Sequence, residues 1–531
     1  MVHFRFARCL SIRVLLMSIF LLSWHSISVA AEMTFEIRGY EIVQNDRIPD
    51  GDIQELLWPY IGYAKSTEEI EQARAEVEKY FQQQGFIRTM VSIPQQTLDS
   101  GIVRLDVVET KIARVKVTGN RFYTKEMLLH ELPSIAPGQV MQVSRVKEDF
   151  GRLARNPNLK VKLGLVPSRK NGEDTIELKV EDQLPLHGKV ELNNRSSHDT
   201  SSLRLSAMVR YDNLWQKNHS ASLQAQVSPE NTDEVRVISG SYVMPRALDP
   251  SQLLVFYAVW SDSQTATGGD INVIGKGNIY GARYVRPLTG YKDYAHNLTF
   301  GIDYKNFDET IDFSAGSDDP IITPVSYVPV SLNYGASLKD KSGITLLSAG
   351  LSGTIRGLGS QQDEFAEKNY KSRGNYLILN TSLERKQPLP QGFQINLKIK
   401  EQWASEPLIA NEQFIAGGMD SVHGYKESEA SGDNAFYASS ELVGPELVTL
   451  LDQKRPYSTV PALIYEYAKL QLKEPLAGQD KRVELNGLGL MVKGQFRENL
   501  KYRLDWGLAL SDTGKTDSGT QHVYFNLAYE F

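Results

Sequence analysis

Residues 521–531 constrain the fold of this chain more than any other segment. Apolar and polar residues largely alternate along them, and Tyr529 and the terminal Phe531 fall on one face, as the period of two of a β-strand requires. A terminal strand with one apolar face needs a neighbouring strand and an apolar solvent. A transmembrane β-barrel supplies both, because its strands of about ten residues face lipid on one side and leave no edge unpaired. The segment therefore predicts a chain that ends within a bacterial outer membrane.

The first 31 residues are typical of a cleavable secretory signal. Three arginines precede a short apolar stretch, residues 14–22, and small residues come before Glu32. The stretch is too short for a membrane-spanning helix, which needs about 20 apolar residues. A buried helix of the folded protein is the alternative. Cys9, the only cysteine, lies in this segment, so we expect the exported chain to have no thiol.

The composition argues against several classes of protein. No later apolar run approaches the length of a helical membrane span, whereas 25 tyrosines and 19 phenylalanines suit the aromatic girdles of a barrel. The net charge of −6 and the lack of a basic cluster argue against nucleic-acid binding. The histidines are scattered without the spacing of a metal site, so we expect no metal and no cofactor.

Residues 32–182 repeat one plan twice, as two small α+β domains at residues 32–109 and 110–182. Each copy reads β-α-α-β-β in about 75 residues, a workable size for a small domain. The first copy has predicted strands at 34–43, 86–94 and 101–108 and helices at 50–58 and 66–84; the second has strands at 111–117, 160–166 and 174–180 and helices at 124–130 and 144–153. The period is too long, and the copies too few, for a solenoid.

From residue 183 to the end, the sequence consists of alternating segments without a helical stripe. About 350 residues, at roughly 20–24 for each strand and its connection, give about 16 strands, an even number as in single-chain barrels. One connection, residues 405–434, is too long for a turn and is rich in glycine, aspartate and glutamate. Long connections of this kind usually carry function. We therefore expect a 16-stranded antiparallel β-barrel at 183–531 with a functional loop.

Several short motifs give this order of elements a family resemblance. They lie at residues 91–96, at 108–109 with 117–120, at 156–157, at 211–214, and at Val422, His423, Gly424 and Tyr425 after two glycines. The chain resembles, along nearly all of its mature length, the outer-membrane transporters of two-partner secretion, which are the haemolysin and filamentous-haemagglutinin secretion/activation proteins. The two small domains resemble POTRA (polypeptide-transport-associated) domains, which would lie in the periplasm.

The tetrad at residues 422–425 departs from the family pattern. The family has Val-Arg-Gly-Tyr at the tip of a loop folded into the barrel, and its arginine pairs with an aspartate of the inner wall. Here His423 replaces the arginine, and Glu466 stands where the wall aspartate is expected. An arginine is always charged and binds a carboxylate through two hydrogen bonds, whereas a histidine is charged only below a pKa of about 6.5. We expect a weaker, pH-sensitive latch. The alternative is that packing by Tyr425 and the glycines holds the loop, and that residues 423 and 466 have changed without consequence for function.

The resemblance implies a transporter that captures one large, unfolded secreted partner in the periplasm and exports it through the barrel. Strand addition at a sheet edge is the expected mode of capture. The candidate edge is the predicted strand 86–94, whose Pro94 suits a strand end, with Phe86, Ile87, Val91 and Ile93 as the partner-binding residues. That this strand belongs only to the core is the alternative.

Two further partners are implied. They are outer-membrane lipid and, during biogenesis, the barrel-assembly machinery, for which Tyr529 and Phe531 would be the C-terminal signal. Some members of the family carry an extra N-terminal helix that plugs the pore. Here the first predicted strand begins within a few residues of the predicted cleavage site, so we expect no such helix.

Three other functions fit the sequence less well than export. A barrel-assembly factor is the nearest alternative, but such factors typically have three or more POTRA domains. A passive porin needs no tandem periplasmic domains. Residues 420–423 contain Asp, Ser and His, yet catalytic triads are usually assembled from distant segments, so we expect no catalytic residue and no enzyme.

Overall fold

The structure, a computed structural model, describes residues 33–167, 173–198, 200–245, 252–263, 265–268, 271–274, 276–311, 321–355, 357–359, 361–447, 457–497 and 499–531. The predicted signal segment, residues 1–31, lies outside them. The chain divides into two compact units. The first holds the described residues up to Asn120 and Leu128–Glu181, and the second holds Arg121–Met127 and Asp182–Phe531.

The first half of the first unit builds two helices and a three-stranded sheet around one apolar core. Its elements are β1 (Thr34–Ile37), β2 (Gly39–Val43), α1 (Asp50–Leu57), a 3-10 turn (Trp58–Tyr60), β3 (Gly62–Ser66), α2 (Thr67–Gln83), β4 (Thr89–Ser92) and β5 (Ile102–Glu109). The sheet has the order β2-β5-β4, in which β2 is parallel and β4 antiparallel to β5.

Helix α2 begins at a capping box that the sequence encodes. Ser66 Oγ accepts the N–H of Glu69, and the Glu69 carboxylate accepts the N–H of Ser66. The backbone hydrogen bond from Ser66, together with Lys65, lowers the pKa of the Glu69 carboxyl. The buried residues of α2 recur at helical spacing and belong to the core: Ile70, Ala73, Val77 and Phe81.

Two strands of this half differ from the prediction. The predicted strand 34–43 is divided at Arg38, whose N–H binds the carbonyl of Gly101, so that β1 pairs with β3 while β2 pairs with β5. The predicted strand 86–94 is reduced to β4. Phe86 N–H instead binds the carbonyl of Phe81 at the end of α2, which keeps the chain in a turn up to residue 88.

The second half repeats the order of elements. It has β6 (Lys111–Thr118), α3 (Lys125–Glu131), a 3-10 turn (Pro133–Ile135), α4 (Val143–Leu153), β7 (Leu159–Pro167) and β8 (Glu173–Asp182), with the sheet order β6-β8-β7. Within the first unit the halves are joined by a bidentate pair, in which Arg88 donates to both carboxylate oxygens of Asp174 at 2.9 and 3.0 Å. The N–H of Val143 also binds the carbonyl of Gly85.

The second unit is a closed antiparallel barrel. Its elements in chain order are β9 (Leu186–Asn193), β10 (Arg204–Leu214), β11 (His219–Val227), β12 (Val235–Pro245), β13 (Leu253–Ser263), β14 (Thr265–Gly268), β15 (Ile271–Ile274), β16 (Gly277–Pro287), β17 (Tyr294–Ile311), β18 (Ile321–Tyr327), β19 (Val330–Lys339), β20 (Ile344–Gly353), α5 (Gln362–Lys368), β21 (Leu377–Pro388), a 3-10 turn (Pro390–Gly392), β22 (Gln394–Ala404), a 3-10 turn (Ala410–Glu412), β23 (Phe414–Ala416), β24 (Ala430–Gly432), β25 (Asn434–Val443), β26 (Tyr457–Gln471), β27 (Arg482–Phe496), β28 (Leu500–Ala509) and β29 (Gln521–Glu530).

The wall of the barrel has sixteen strands, which confirms the predicted number. Strands β18 and β19 are consecutive parts of one wall strand, since both pair with β17 and only two residues separate them. Two pairs, β14 with β15 and β23 with β24, form separate hairpins. Along each wall strand the apolar side chains that point outward remain exposed, and the alternate residues face the lumen.

The last strand closes the barrel, as its alternation predicts. Strand β29 pairs with β9 over the five residues from Asn526 to Glu530, and Phe531 exchanges two backbone hydrogen bonds with Gly188. A Cβ atom at Gly188 would lie 2.1 Å from the ring of Phe531, so the glycine makes room for the terminal aromatic residue. Tyr529 and Phe531 lie exposed on the outer face of the wall, whereas Tyr524 is buried.

No helix among the described residues is long and apolar enough to cross a membrane.

Candidate functional site

The long connection between β22 and β25 folds into the barrel lumen. It contains the β23–β24 hairpin, and the tetrad lies between these two short strands. Val422, His423 and Tyr425 are at most 1% exposed. Gly424 has a φ of +94°, and a Cβ atom there would lie 2.1 Å from the backbone nitrogen of Ala509 in the wall, so only glycine fits this close approach.

His423 is held between two carboxylates of the inner wall. Its Nδ1 lies 2.7 Å from Oε2 of Glu466 in β26, and its Nε2 lies 3.1 Å from Oδ2 of Asp505 in β28. An imidazole donates from both nitrogens only when it is protonated, so the arrangement fits an imidazolium ion. His423 and Glu466, which the sequence analysis paired, are therefore in contact. Their role as a latch stays a prediction.

Asp505 was missed by the sequence analysis. Its side chain is fully buried, and it also accepts hydrogen bonds from Arg503. Arg503 in turn donates to Asp420 at 2.8 Å and to the carbonyl of Met419, both in the loop. The spacing of Arg503 and Asp505 puts both on the lumen face of one strand. Nothing in the sequence indicates, however, that this face meets the loop.

The wall beneath the tetrad is made of glycines. Strand β27 contributes Gly487 and Gly489, and β28 contributes Gly507. A Cβ atom at Gly487 would lie 2.2 Å from the carbonyl oxygen of His423, and one at Gly507 would lie 2.4 Å from the backbone nitrogen of Gly424. The absence of side chains at these positions allows the backbone of the loop to lie directly on the wall.

The tyrosine of the tetrad forms a second set of contacts. Its hydroxyl lies 2.7 Å from the carbonyl oxygen of Ser511 and accepts the N–H of the same residue. Tyr524 of β29 binds the loop backbone twice, since its hydroxyl accepts the N–H of Gly424 and donates to the carbonyl of Tyr425. The electrostatic contacts of His423 and the packing around Tyr425 are thus both present.

The segment that follows β9 also binds the loop, a contact that no sequence pattern indicates. Arg195 donates to Asp420 at 2.7 Å and to Glu427 at 3.0 Å. His198 lies 2.6 Å from Glu429, whose side chain is fully buried. The segment after the first barrel strand is therefore connected to the loop on both sides of the tetrad.

Asp420, Ser421 and His423, the three residue types of a hydrolase, do not bind one another. Ser421 Oγ accepts the N–H of Gly417, Asp420 binds the two arginines, and His423 binds the wall carboxylates. No group of three or more His, Cys, Asp or Glu side chains that could hold a metal ion occurs in the part of the chain that the structure describes.

The predicted partner-binding residues lie mostly inside the first unit. Phe86 and Val91 are buried in its core, Ile93 packs against that core, and Ile87 is about half exposed. Apart from Ile87, these side chains therefore offer little surface to a partner.

The family model described as "Haemolysin secretion/activation protein ShlB/FhaC/HecB" matches residues 172–460, and the model "POTRA domain, ShlB-type" matches residues 35–110. The chain is similar to the outer membrane transporter CdiB of Dickeya dadantii, with 20% identity over 431 residues, 77% of this chain and 72% of that protein. It is also similar to the haem/hemopexin transporter protein HuxB of Haemophilus influenzae, with 18% identity over 422 residues, 77% of this chain and 72% of that protein.

Solved structures share the fold. CdiB from Escherichia coli matches with a TM-score of 0.69 at 16% identity, covering 96% of this chain and 93% of that one. BamA from Haemophilus ducreyi lacking POTRA domains 1–3 matches with a TM-score of 0.55 at 14% identity, covering 94% of this chain and all of that one. The haemolysin secretion/activation model matches residues 172–460, more than half of this chain. The chain therefore belongs to the haemolysin secretion/activation protein family.

Proposed function

We propose that this protein is an outer-membrane transporter that takes an unfolded secreted partner from the periplasm and exports it through the lumen of its barrel. One observation supports this above all. A closed sixteen-stranded barrel holds the tetrad at residues 422–425 against its inner wall, in a chain of the secretion/activation family. The relatives CdiB, HuxB and ShlB are all named as transporters.

On this proposal the domains have separate tasks. Residues 32–109 and 110–182 are two periplasmic POTRA domains that capture the partner, and residues 183–531 are the membrane barrel. Outer-membrane lipid contacts the outward apolar side chains of the wall. The barrel-assembly machinery recognises the final strand, where Tyr529 and Phe531 are exposed on the outer face.

The contacts at the sheet edges favour one capture site over the other. On β4 the outward N–H and carbonyl of Val91 are already bound, by Glu78 at 3.1 Å and Arg74 at 2.9 Å. Strand β2, at the other edge, pairs only with β5 among the described residues, and its Tyr40 carbonyl accepts from Gln54. Strand addition needs free backbone groups. We therefore prefer β2 to the β4 edge that the sequence analysis chose.

Photo-crosslinking tests the choice of edge in the intact protein. A photoreactive residue at Glu41 reports on β2, and one at Ser92 reports on β4, since both side chains are exposed on opposite edges of one sheet. We expect the partner to crosslink at residue 41. Crosslinking at residue 92 alone would instead identify the edge of β4 as the capture site.

An assembly factor for other barrels is the second candidate function, because the fold also matches BamA. Deletion of the gene separates the two. Loss of the secreted partner from the medium with normal levels of other outer-membrane barrels supports export. Depleted barrels with unchanged secretion would make the protein an assembly factor.

A further inference from the structure

The infolded loop is fixed to the barrel wall at a second place, far from the tetrad. Glu412 closes the 3-10 turn at the start of the loop, and its Oε1 lies 2.5 Å from Nζ of Lys305 in β17 and 2.5 Å from the hydroxyl of Tyr327 in β18. The side chains of Lys305 and Glu412 are 18% and 12% exposed. A charge-assisted contact with so little water is stronger than an exposed one.

This second contact lies across the lumen from the first. Counted from β9 around the sixteen-stranded wall, β17 and β18 are the seventh and eighth strands, whereas β26 and β28 are the thirteenth and fifteenth. The loop therefore spans the lumen, with Glu412 on one side and His423 on the other.

An apolar cluster surrounds the second contact. Leu408 and Ile409 of the loop are at most 1% exposed and pack with wall residues and with Phe365 of α5, which lies in the preceding long connection. The cluster also contains Val237, Val259, Ile279, Phe307, Val325, Tyr327, Tyr376, Ile378 and Ala404.

The connection that carries α5 holds the loop backbone as well. Asn369 Nδ2 donates to the carbonyl of Leu408 at 2.6 Å, and the N–H of Arg373 binds the carbonyl of Pro407. Two long connections at the same end of the barrel thus form one packed body inside the lumen. Longer loops are on the extracellular side of outer-membrane barrels, so this body lies near the exit.

We propose that the Glu412 anchor, made with Lys305 and Tyr327, is an independent closure of the exit, and that an exported chain passes only when this anchor and the His423 contacts are both released. The inference rests on the proposed export function and deepens it. Loss of the tetrad contacts alone leaves Leu408 and Ile409 packed in the apolar cluster. Loss of the anchor leaves the Lys305 ammonium without its carboxylate, which favours displacement of the loop from this wall.

Single-channel recording on the full-length protein in planar lipid bilayers tests the anchor. We expect Glu412→Gln to raise the frequency of channel opening about tenfold, as the loss of one charge-assisted hydrogen bond predicts. Tyr327→Phe, which changes no charge, should raise it less. The double variant Glu412→Gln/His423→Ala should open more often than either single variant.

Glu441→Gln is the matched control. Glu441 faces the lumen on β25, where it binds Asn396 and Lys493 of the wall, so the substitution removes the same charge without touching the anchor. The proposal would be overturned if channels of Glu412→Gln open no more often than those of the wild type or of Glu441→Gln. If Glu412→Gln does not assemble, as judged by heat-modifiable migration, Tyr327→Phe is tested instead. Channel openings of Tyr327→Phe at the wild-type frequency would then overturn the proposal. Secretion by the wild type is assayed separately, so a failed export function and a failed anchor give different results.

Discussion

One carboxylate oxygen of Glu466 binds His423 twice. Oε2 lies 2.7 Å from Nδ1 of the imidazole and accepts the backbone N–H of the same histidine at 2.9 Å. The backbone bond does not depend on the side chain at position 423. The side-chain bond, and the contact of Nε2 with Asp505, both need protons on the ring. The tip of the loop is therefore held partly by its backbone and partly by a charge that only a basic residue supplies.

That charge predicts a pH dependence. The groups facing the imidazole are the carboxylates of Glu466 and Asp505, with Arg503 beyond them, and the ring of Tyr524, which packs edge-on against it at 5.6 Å between centroids. The contacts are complete while the ring is protonated, and one of them is lost as rising pH removes a proton. We expect channel openings of the wild type to become more frequent as the pH is raised, and those of His423→Arg to stay constant. If the frequency of channel opening depends on pH identically in the wild type and in His423→Arg, Tyr425 and the glycines hold the loop.

Asp505 should matter as much as Glu466, although no family pattern pointed to it. Asp505→Asn removes the charge that both His423 and Arg503 contact. A hydrogen bond to a charged group contributes about 1.5–3 kcal/mol, so we expect channel openings to increase about tenfold or more. Asp303→Asn is the control, because Asp303 binds Arg283 on the wall and not the loop. Equal behaviour of the two variants would contradict a special role for Asp505.

The glycine wall gives a steric prediction. Gly487→Ala places a Cβ atom 2.2 Å from the carbonyl oxygen of His423, so the tip must move away from the wall. Gly240→Ala adds the same methyl group where its nearest neighbour is 3.6 Å away, which is ordinary contact. We expect more frequent channel openings for the first variant and wild-type behaviour for the second. Assembly of both barrels is checked by heat-modifiable migration.

The bidentate pair in the first unit predicts a stability effect. Asp174→Asn removes the carboxylate to which Arg88 donates two hydrogen bonds. Because the Arg88 side chain is 44% exposed, we expect the free energy of local unfolding to fall by only about 1 kcal/mol. Amides of β4 and β8 should then exchange about fivefold faster in hydrogen-exchange mass spectrometry of the full-length protein. Lys162→Gln, which breaks a largely exposed pair with Glu181, should leave exchange unchanged.

Local patterns explain why much of the fold was predictable. The alternation in β29, the capping box at Ser66 and the repeated order of helices and strands each depend on residues close in sequence. The division of the first predicted strand at Arg38 was not predictable, because it depends on the carbonyl of Gly101, which is distant in sequence.

The candidate site was predictable only where a family pattern reached it. The contact between His423 and Glu466 follows such a pattern. Asp505, Arg195 and Glu412 each take part in a contact between the loop and a part of the barrel that is distant in sequence. Their charges alone gave no indication of which wall, or which part of the loop, each would face.

Crosslinking of a partner stalled during export tests the central claim most directly. A photoreactive residue at Ser239 faces the lumen, on the same face of β12 as Val237, which packs in the apolar cluster around Leu408. One at the neighbouring Ile238 is exposed on the outer face. Export through the barrel predicts crosslinks from residue 239 and none from residue 238. Export that continues without a crosslink from residue 239 would contradict passage through the lumen.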